Sequence, residues 1–224
     1  MKNYRTGFVS LLSLLIVAFA WSPLSAAEQK GTLIVALESL GGQSMDPIQE
    51  GRPTNAHIQA PVFDSLLGYD YEKGGVGPGV ATRWVLSDDG LSWTFFLRKD
   101  VKWHNGDPLT AQDVKFSLER TMSKDSLSSR RAQLRRNVIK IEVVDDYTVR
   151  VFTKGVQVHF PSGLSRSVFQ EGQLMPKKYI EKVGDEGFRK KPIGSGPWKF
   201  VRSVPGDLVE YEAVDYPHWR GTPK

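Results

Sequence analysis

Carboxylates at close spacing are the first candidates for chemistry in this sequence. The adjacent pairs Asp88-Asp89 and Asp145-Asp146 each stand in a segment whose composition is typical of a turn. General acid–base catalysis needs two carboxylates that face each other across a cleft and titrate at different pH. Neighbouring aspartates in a turn point into solvent instead, so neither pair predicts an enzyme.

Histidines and serines complete no catalytic or metal-binding pattern. The four histidines, His57, His104, His159 and His218, stand far apart, and none has a second His, Asp or Glu at metal-site spacing on a helix. We therefore expect each to be a surface or packing residue. The stretch from Gly163 to Ser167 approaches the nucleophile elbow of hydrolases but lacks the closing glycine that the strained turn requires.

The first 27 residues predict a secretory signal peptide. Lys2 and Arg5 give a positive start, an uncharged apolar run extends from Gly7 to Ala20, and small residues lead up to Ala27, after which cleavage is expected. The apolar run is shorter than the ~20 residues of a membrane-spanning helix. The chain has no cysteine, which excludes disulfides, thiolate metal sites and a lipidated cysteine. We therefore expect a periplasmic protein, free in solution, with no membrane insertion after cleavage.

Charge gives little reason to expect a nucleic-acid partner. The formal charge of +5 falls to +3 once Lys2 and Arg5 leave with the signal peptide. The densest basic stretch, Arg130 to Arg136, is interpreted as a solvated face or loop. With 40% hydrophobic and 11% aromatic residues, the chain can build an ordinary hydrophobic core.

The elements that position these residues begin with a strand and a helix. Thr32 to Leu37 is an apolar run typical of a buried strand. Asn55 to Leu67 predicts a helix with one apolar stripe, in which Pro61 predicts a later start or a kink. Trp93 to Leu97 alternates apolar and other side chains, which predicts a strand. Thr110 then predicts the start of a helix, with Asp113 reaching back toward it as in a capping box.

The second half continues with hairpins and one helix. Alternating residues predict a hairpin in which Ile139, Ile141 and Val143 share one face of the first strand. A helix is expected from Met175-Pro176 to a stop at Gly184, and a second hairpin from Trp198 to Ala213. The pattern predicts an α/β fold of mixed α+β character.

The order of motifs along the chain resembles a known family. The motifs are Ala81–Trp84, Ser87–Arg98, Val101–Val114, Gly194–Phe200 and Tyr216–Lys224. In this order they resemble extracellular solute-binding proteins of family 5, the oligopeptide-, dipeptide- and nickel-binding receptors of ABC importers. The resemblance covers essentially all of the chain after the signal peptide. The stretch from Gly194 to Pro197 is glycine-rich but lacks the lysine of a phosphate loop, so its composition indicates a bend at the entrance to a strand.

The resemblance implies a type II periplasmic binding protein fold, in which two lobes close on a ligand and one lobe carries an extra subdomain. On this basis we expect residues 28–60 to begin the first lobe, residues 61–172 to form the inserted subdomain, and residues 173–224 to return to the first lobe. Members of the family are longer than this chain. We therefore expect an N-terminal part of such a receptor, with the second lobe absent.

The implied function is a periplasmic substrate-binding component of an ABC importer, which delivers peptides or similar small solutes to the permease without catalysis or cofactors. The loop after the first strand and a later loop line the ligand cleft in relatives. The matching residues are Glu50, Gly51, Arg52, Ser167, Phe169 and Gln170. The alternative for the first three is an exposed loop with ordinary charges. The solute itself stays open among peptides, opines, nickel complexes and sugars.

Two other functions remain as hypotheses. A small secreted hydrolase would use Glu50 with Asp46, or the region of Ser165. A non-transport interaction module would use an exposed aromatic face, which an exposed apolar patch of several hundred Å² would support.

Overall fold

The computed structural model describes residues 31–49, 53–166, 172–221 and 223. The predicted signal peptide, residues 1–27, lies outside these ranges. Residues from Leu33 onward belong to one compact unit. Its helices are α1 (Pro53–Gln59), α2 (Ala111–Thr121), α3 (Arg131–Asn137), α4 (Lys177–Lys190) and a 3-10 helix at Phe160–Leu164. Its strands are β1 (Leu67–Tyr69), β2 (Val76–Pro78), β3 (Ala81–Leu86), β4 (Ser92–Leu97), β5 (Val138–Asp145), β6 (Thr148–Thr153), β7 (Trp198–Val204) and β8 (Leu208–Ala213).

The central sheet is antiparallel, with strand order β3-β4-β6-β5. Strands β1 with β2, and β7 with β8, form two separate antiparallel hairpins. The alternation predicted for β4 is confirmed, because Trp93, Phe95 and Leu97 are buried on the inner face of the sheet. Across the strand pair, Trp93 opposes Val151 and Phe95 opposes Val149, so large and β-branched side chains pack against each other.

Helix α2 begins as its sequence predicts. The backbone N–H of Thr110 donates to the Asp113 carboxylate at 2.9 Å, which satisfies a donor that the first helical turn leaves without a partner. Val114 and Leu118 then lie on the buried face. This capped helix packs against β5 and β6 and covers the inner face of the central sheet.

The strand expected at Thr32–Leu37 is absent from the described structure, and this prediction is wrong. Leu33, Ile34 and Val35 are 79%, 87% and 67% exposed, in extended chain that pairs with no described strand. An apolar run becomes a buried strand only when a neighbouring strand accepts its backbone hydrogen bonds and another layer covers its side chains. The described residues supply neither for this segment.

The helix predicted from Asn55 to Leu67 is shorter than expected. It ends at Gln59, and residues 60–62 form a turn. Pro61 has no N–H to continue the helical hydrogen bonds, so it terminates the helix and does not merely kink it. The apolar stripe is nonetheless used, because Ile58, Val62 and Leu66 are all buried.

Two further predictions are corrected by local backbone irregularities. A β-bulge between Val138 and Lys140 turns Ile139 outward, and its side chain is 68% exposed. Helix α4 is broken at Gly184 by a positive φ of 71°, but it resumes and extends to Lys190. The continuation places Phe188 in the core, so the predicted stop is a break within a longer element.

The buried apolar side chains divide into two clusters. The first is built from residues between Leu66 and Leu174 and fills the space between the central sheet and α2. The second combines residues before and after that range, including Met45, Phe63 and Phe188. The chain therefore leaves the second core after Phe63 and re-enters it at Met175.

Candidate ligand-binding site

The six predicted ligand residues lie outside the described residues. Glu50, Gly51 and Arg52 fall between residues 49 and 53, and Ser167, Phe169 and Gln170 fall between residues 166 and 172. The structure does describe the chain on both sides of each segment. The residues that hold the chain in place beside each segment are called the anchor of that segment.

The anchor of the first segment is a buried ion cluster around Arg120. Both carboxylate oxygens of Asp46 accept hydrogen bonds from the Arg120 guanidinium, at 2.6 and 2.8 Å. The same guanidinium donates to Asp185 of α4 at 2.7 Å. The Asp46 carboxylate is fully buried, whereas the Asp185 side chain is 54% exposed. Arg120 therefore ties the loop before Glu50 to both α2 and α4.

Polar side chains of α1 hold the same loop from its other side. The amide groups of Asn55 and Gln59 donate to the Ser44 carbonyl at 2.6 and 2.8 Å. Farther along the loop, the Ile48 carbonyl accepts a hydrogen bond from the backbone N–H of Leu127 at 2.6 Å. The loop before the first predicted segment is thus held through the backbone carbonyls of Ser44 and Ile48 as well as through the Asp46 carboxylate.

The anchor of the second segment is strand β1. The backbone N–H of Leu66 donates to the Gly172 carbonyl at 2.7 Å, and the N–H of Arg166 donates to the Leu67 carbonyl at 3.1 Å. Arg166 and Gly172, which flank residues 167–171, are therefore held at Leu67 of β1 and at the residue immediately before it. Gly172 has φ of 66°, and a Cβ there would lie 2.1 Å from the Leu164 carbonyl oxygen, so only glycine fits this close approach.

One small cavity of about 20 Å³ is lined by residues that flank the two predicted segments. Pro47, which precedes the first segment, and Gly172, which follows the second, are in its wall, together with Gln173 and Thr121. Gln173 is 8% exposed, and its Oε1 has no hydrogen-bond partner among the described residues. Such a cavity holds about one water molecule. Pro47 and Gly172, which flank the two predicted ligand segments in the chain, thus share one cavity wall.

A second buried polar cluster surrounds the glycine bend at Gly194–Pro197. The Gly194 N–H donates to Nδ1 of His104 at 3.1 Å, so Nε2 carries the proton and donates to the Gly196 carbonyl at 2.9 Å. Burial lowers the pKa of His104, which is consistent with a neutral ring. A Cβ on Gly194 would lie 1.9 Å from the Val62 carbonyl oxygen. The bend predicted from the sequence is confirmed, and its glycines allow the backbone to pack directly on Val62.

His218, in the C-terminal segment, contacts the same bend. Its Nε2 lies 2.8 Å from the Ser195 carbonyl, and its Nδ1 accepts the Arg220 backbone N–H at 3.0 Å. The buried Asp64 carboxylate lies 3.5 Å from the same Nε2 and 2.8 Å from Arg220 Nε. Burial lowers the pKa of His218, but the hydrogen bond and charge of Asp64 outweigh burial and raise it. Trp219 also donates to Asp64, at 3.2 Å.

Sequence reasoning gave His104 and His218 only a general surface or packing role. The structure assigns them a specific one, because both rings bind backbone carbonyls of one bend. Part of the signal is in the sequence, because the motif around Gly194 and the motif around His218 both belong to the motifs that carry the family resemblance. What the sequence did not reveal is that the two motifs touch each other.

Of the residues proposed for a hydrolase, Glu50 lies outside the described residues, and Asp46 and Ser165 are buried. Asp46 is fully buried and paired with Arg120. Ser165 is also fully buried, beside β1. A substrate in solution reaches neither side chain, so the described part of the site gives no support to hydrolysis.

The described residues provide neither a metal-binding cluster nor a membrane-spanning helix. Between residues 31 and 221, outside the gaps at 50–52 and 167–171, no three His, Asp or Glu side chains are grouped so that they could hold a metal ion. None of the described helices combines the length and the apolar character that crossing a bilayer requires.

Solved structures of periplasmic binding proteins share this fold. NikZ from Campylobacter jejuni, crystallised with Ni(L-His), superposes with a TM-score of 0.65 at 30% sequence identity, over 76% of this chain and 33% of that chain. The described fold is therefore an α/β lobe of the periplasmic binding protein type.

The family follows from the sequence comparison. Residues 75–224 match the family described as bacterial extracellular solute-binding proteins, family 5 middle. The chain belongs to this family, as the resemblance in its motifs predicted, and the family consists of substrate-binding receptors.

Curated relatives agree with this assignment. The chain is similar to the periplasmic oligopeptide-binding protein OppA of Haemophilus influenzae, at 28% identity over 90% of the chain. It is also similar to the di/tripeptide-binding protein 2 of Pseudomonas aeruginosa, at 32% identity over 94% of the chain. The chain spans about two-fifths of the length of these relatives, which is 41% and 42% respectively.

Proposed function

We propose that this chain is the ligand-contacting N-terminal part of a periplasmic receptor that binds short peptides or similar small solutes and delivers them to an ABC importer permease. The observation that carries the proposal is the family membership of residues 75–224. The names of the two curated relatives, both peptide-binding, favour peptides over other solutes. In this proposal the protein acts by binding and has no enzymatic activity.

We further propose the boundaries of its parts. Residues 28–60 begin the lobe, residues 61–172 form an inserted subdomain, and residues 173–224 return to the lobe. Support comes from the two buried clusters, since one is built between Leu66 and Leu174 and the other from residues on both sides of that range. Each part thus has apolar side chains of its own to bury.

Glu50, Gly51, Arg52, Ser167, Phe169 and Gln170 are the proposed ligand contacts. Their support is that Pro47 and Gly172, which flank the two segments in the chain, line the same cavity. In this arrangement, Glu50 and Arg52 would meet the charges of a peptide, while backbone groups would pair with its main chain as in strand addition.

The test is a binding measurement on a chimera. The chain is joined in frame to the portion of the Pseudomonas di/tripeptide-binding protein 2 that lies beyond the matched region, because that relative is longer. Isothermal titration calorimetry with di-, tri- and tetrapeptides is expected to give saturable binding, which Arg52→Gln weakens. The matched control is Arg189→Gln, an exposed arginine on α4.

Three results would count against the proposal. Absence of binding to any peptide, while Ni(L-His) or an opine binds, would replace peptides by that solute. Equal loss of affinity in the Arg52 and Arg189 variants would remove the first segment from the site. Hydrolysis of the peptide during the titration would restore the hydrolase hypothesis.

A further inference from the structure

The basic stretch from Arg130 to Arg136 lies partly beside the small cavity, because Arg130 and Leu134 line it whereas Arg135 and Arg136 do not. It forms α3, in which Leu134 is buried and Arg135 and Arg136 are exposed. No described side chain forms an ion pair with Arg135 or Arg136. From Ser126 to Ile141 the sequence contains no aspartate or glutamate, so this segment carries a strong local excess of positive charge.

A second segment adds to the same end of the central sheet. Helix α3 leads into β5 at Val138, which pairs with Thr153, the last residue of β6. The next residue, Lys154, is exposed, and its backbone N–H donates to the Asn137 carbonyl at 2.7 Å. Arg135, Arg136 and Lys154 therefore emerge from one end of the sheet.

Exposed aliphatic side chains accompany these cations. Val156 and Val158 are 59% and 61% exposed, in the segment that Asn137 holds through a 3.3 Å hydrogen bond to the Gln157 side chain. We name the set Arg135, Arg136, Lys154, Val156 and Val158 the α3 surface. The turn from Asp88 to Gly90 lies beside Val156, and its Asp89 carboxylate accepts a hydrogen bond from the Ser87 hydroxyl at 2.6 Å.

We propose that the α3 surface docks the protein on a bilayer rich in anionic phospholipid. Arginine binds phosphate oxygens with two parallel hydrogen bonds and is weakly hydrated, which suits it to lipid headgroups. Exposed valines next to cations gain from entering the boundary between headgroups and acyl chains. An acidic protein surface would use the cations but would gain less from the isolated valines.

This inference goes beyond the proposed receptor function and does not depend on it. A receptor that serves a membrane importer would benefit from weak attraction to the membrane, because the attraction raises its local concentration near the permease. The attraction has to be reversible, and three exposed cations with no inserted helix give such an interaction.

The experiment is cosedimentation of the purified protein, without peptide, with vesicles of phosphatidylcholine alone or mixed equally with phosphatidylglycerol. Binding is expected only to the vesicles that contain phosphatidylglycerol. It is expected to vanish in concentrated salt, which shortens the range of electrostatic attraction to ~3 Å at about 1 M. Each cation near an anionic surface contributes about fivefold in affinity, so the triple variant R135Q/R136Q/K154Q is expected to lose on the order of a hundredfold.

The matched control removes the same charge elsewhere. Lys178, Lys182 and Arg189 are exposed on α4, and the variant K178Q/K182Q/R189Q is expected to bind vesicles nearly as well as the unmodified protein. Val156→Ser combined with Val158→Ser is expected to weaken binding further at moderate salt. Circular dichroism of each variant verifies that it is folded.

Three results would overturn the inference. The first is failure of the unmodified protein to bind phosphatidylglycerol vesicles. The second is equal loss in the two triple variants, which would indicate an effect of net charge alone. The third is a loss of binding to polyglutamate, without a loss of vesicle binding, in R135Q/R136Q/K154Q, which would assign the α3 surface to an acidic protein.

Discussion

The buried ion cluster around Arg120 makes a quantitative prediction about stability. The Arg120 side chain is 7% exposed and the Asp46 side chain is fully buried, so their two hydrogen bonds form away from water. Among the described residues, Arg120→Met leaves the Asp46 carboxylate with only the Ile48 backbone N–H, at 3.3 Å. Breaking a buried pair in this way costs about 3–5 kcal/mol of unfolding free energy, because an uncompensated charge stays buried.

Two further variants separate the possible causes of that loss. Asp46→Leu combined with Arg120→Met replaces both charges by apolar groups, and is expected to recover much of the lost stability. Asp185→Ala removes only the half-exposed partner of Arg120. Exposed ion pairs contribute ~0.2–1 kcal/mol, so this variant is expected to stay close to the unmodified protein.

The assay is urea denaturation followed by tryptophan fluorescence and circular dichroism. The slope of free energy against urea concentration should stay constant among the variants, so that shifts of the midpoint report stability alone. For a chain of this size, a loss of about 3–5 kcal/mol lowers the melting temperature by roughly 6–20 °C. The reasoning is refuted if Arg120→Met costs less than about 1 kcal/mol, or if the double variant is no more stable than Arg120→Met alone.

Three further predictions concern the core, the bend and pH. Phe95 is fully buried, and Phe95→Ala is expected to cost about 3–5 kcal/mol of unfolding free energy, measured by urea denaturation. Phe96 faces outward, so Phe96→Ala is expected to cost clearly less. Equal costs would contradict the assigned strand faces. Gly194→Ala is expected to lower the urea midpoint, because its Cβ would meet the Val62 carbonyl. Gly163→Ala, whose Cβ would enter open space, is expected to lower the midpoint less. A larger drop for Gly163→Ala than for Gly194→Ala would contradict the packing of the bend. Burial lowers the pKa of His104. The contribution of its neutral ring to the free energy of unfolding is therefore fully present above pH 6.5, the ordinary pKa, and is lost as pH falls through the lowered pKa. His104→Gln is therefore expected to flatten the loss of stability below pH 6.5, and an unchanged pH profile would contradict this.

Much of the fold could be predicted from local pattern. Strand β4 and helix α2 were predicted because each element contains its own signal: alternation every second residue in one, and a Thr–Asp cap before an apolar face in the other. The second hairpin was confirmed for the same reason, with its turn at Pro205–Asp207. Local rules work where the residues that decide the structure are neighbours in sequence.

The predictions that failed depended on residues far away or on backbone irregularity. Thr32–Leu37 has the composition of a buried strand, but a strand also needs a partner, and the described residues give it none. The bulge that exposes Ile139 arises from the register of β5 against β6, which no property of Ile139 reveals. Gly184 correctly marked a break in α4, but packing of Phe188 decided that the helix resumes.

Predictions about the candidate site also divide into those that the sequence supports and those that only the tertiary structure decides. Motif order predicted the family, which the match of residues 75–224 confirms, because those motifs contain residue types that a scaffold needs at fixed spacing. The two segments around Glu50 and Phe169 were implied by that resemblance and stay predictions. Only the tertiary structure placed Pro47 and Gly172, which flank these segments, on one cavity wall. Only the tertiary structure paired Asp46 with Arg120, which lies 74 positions away. The physical reason is that burial of a charge is decided by the atoms that surround it in space, and a linear sequence does not list them.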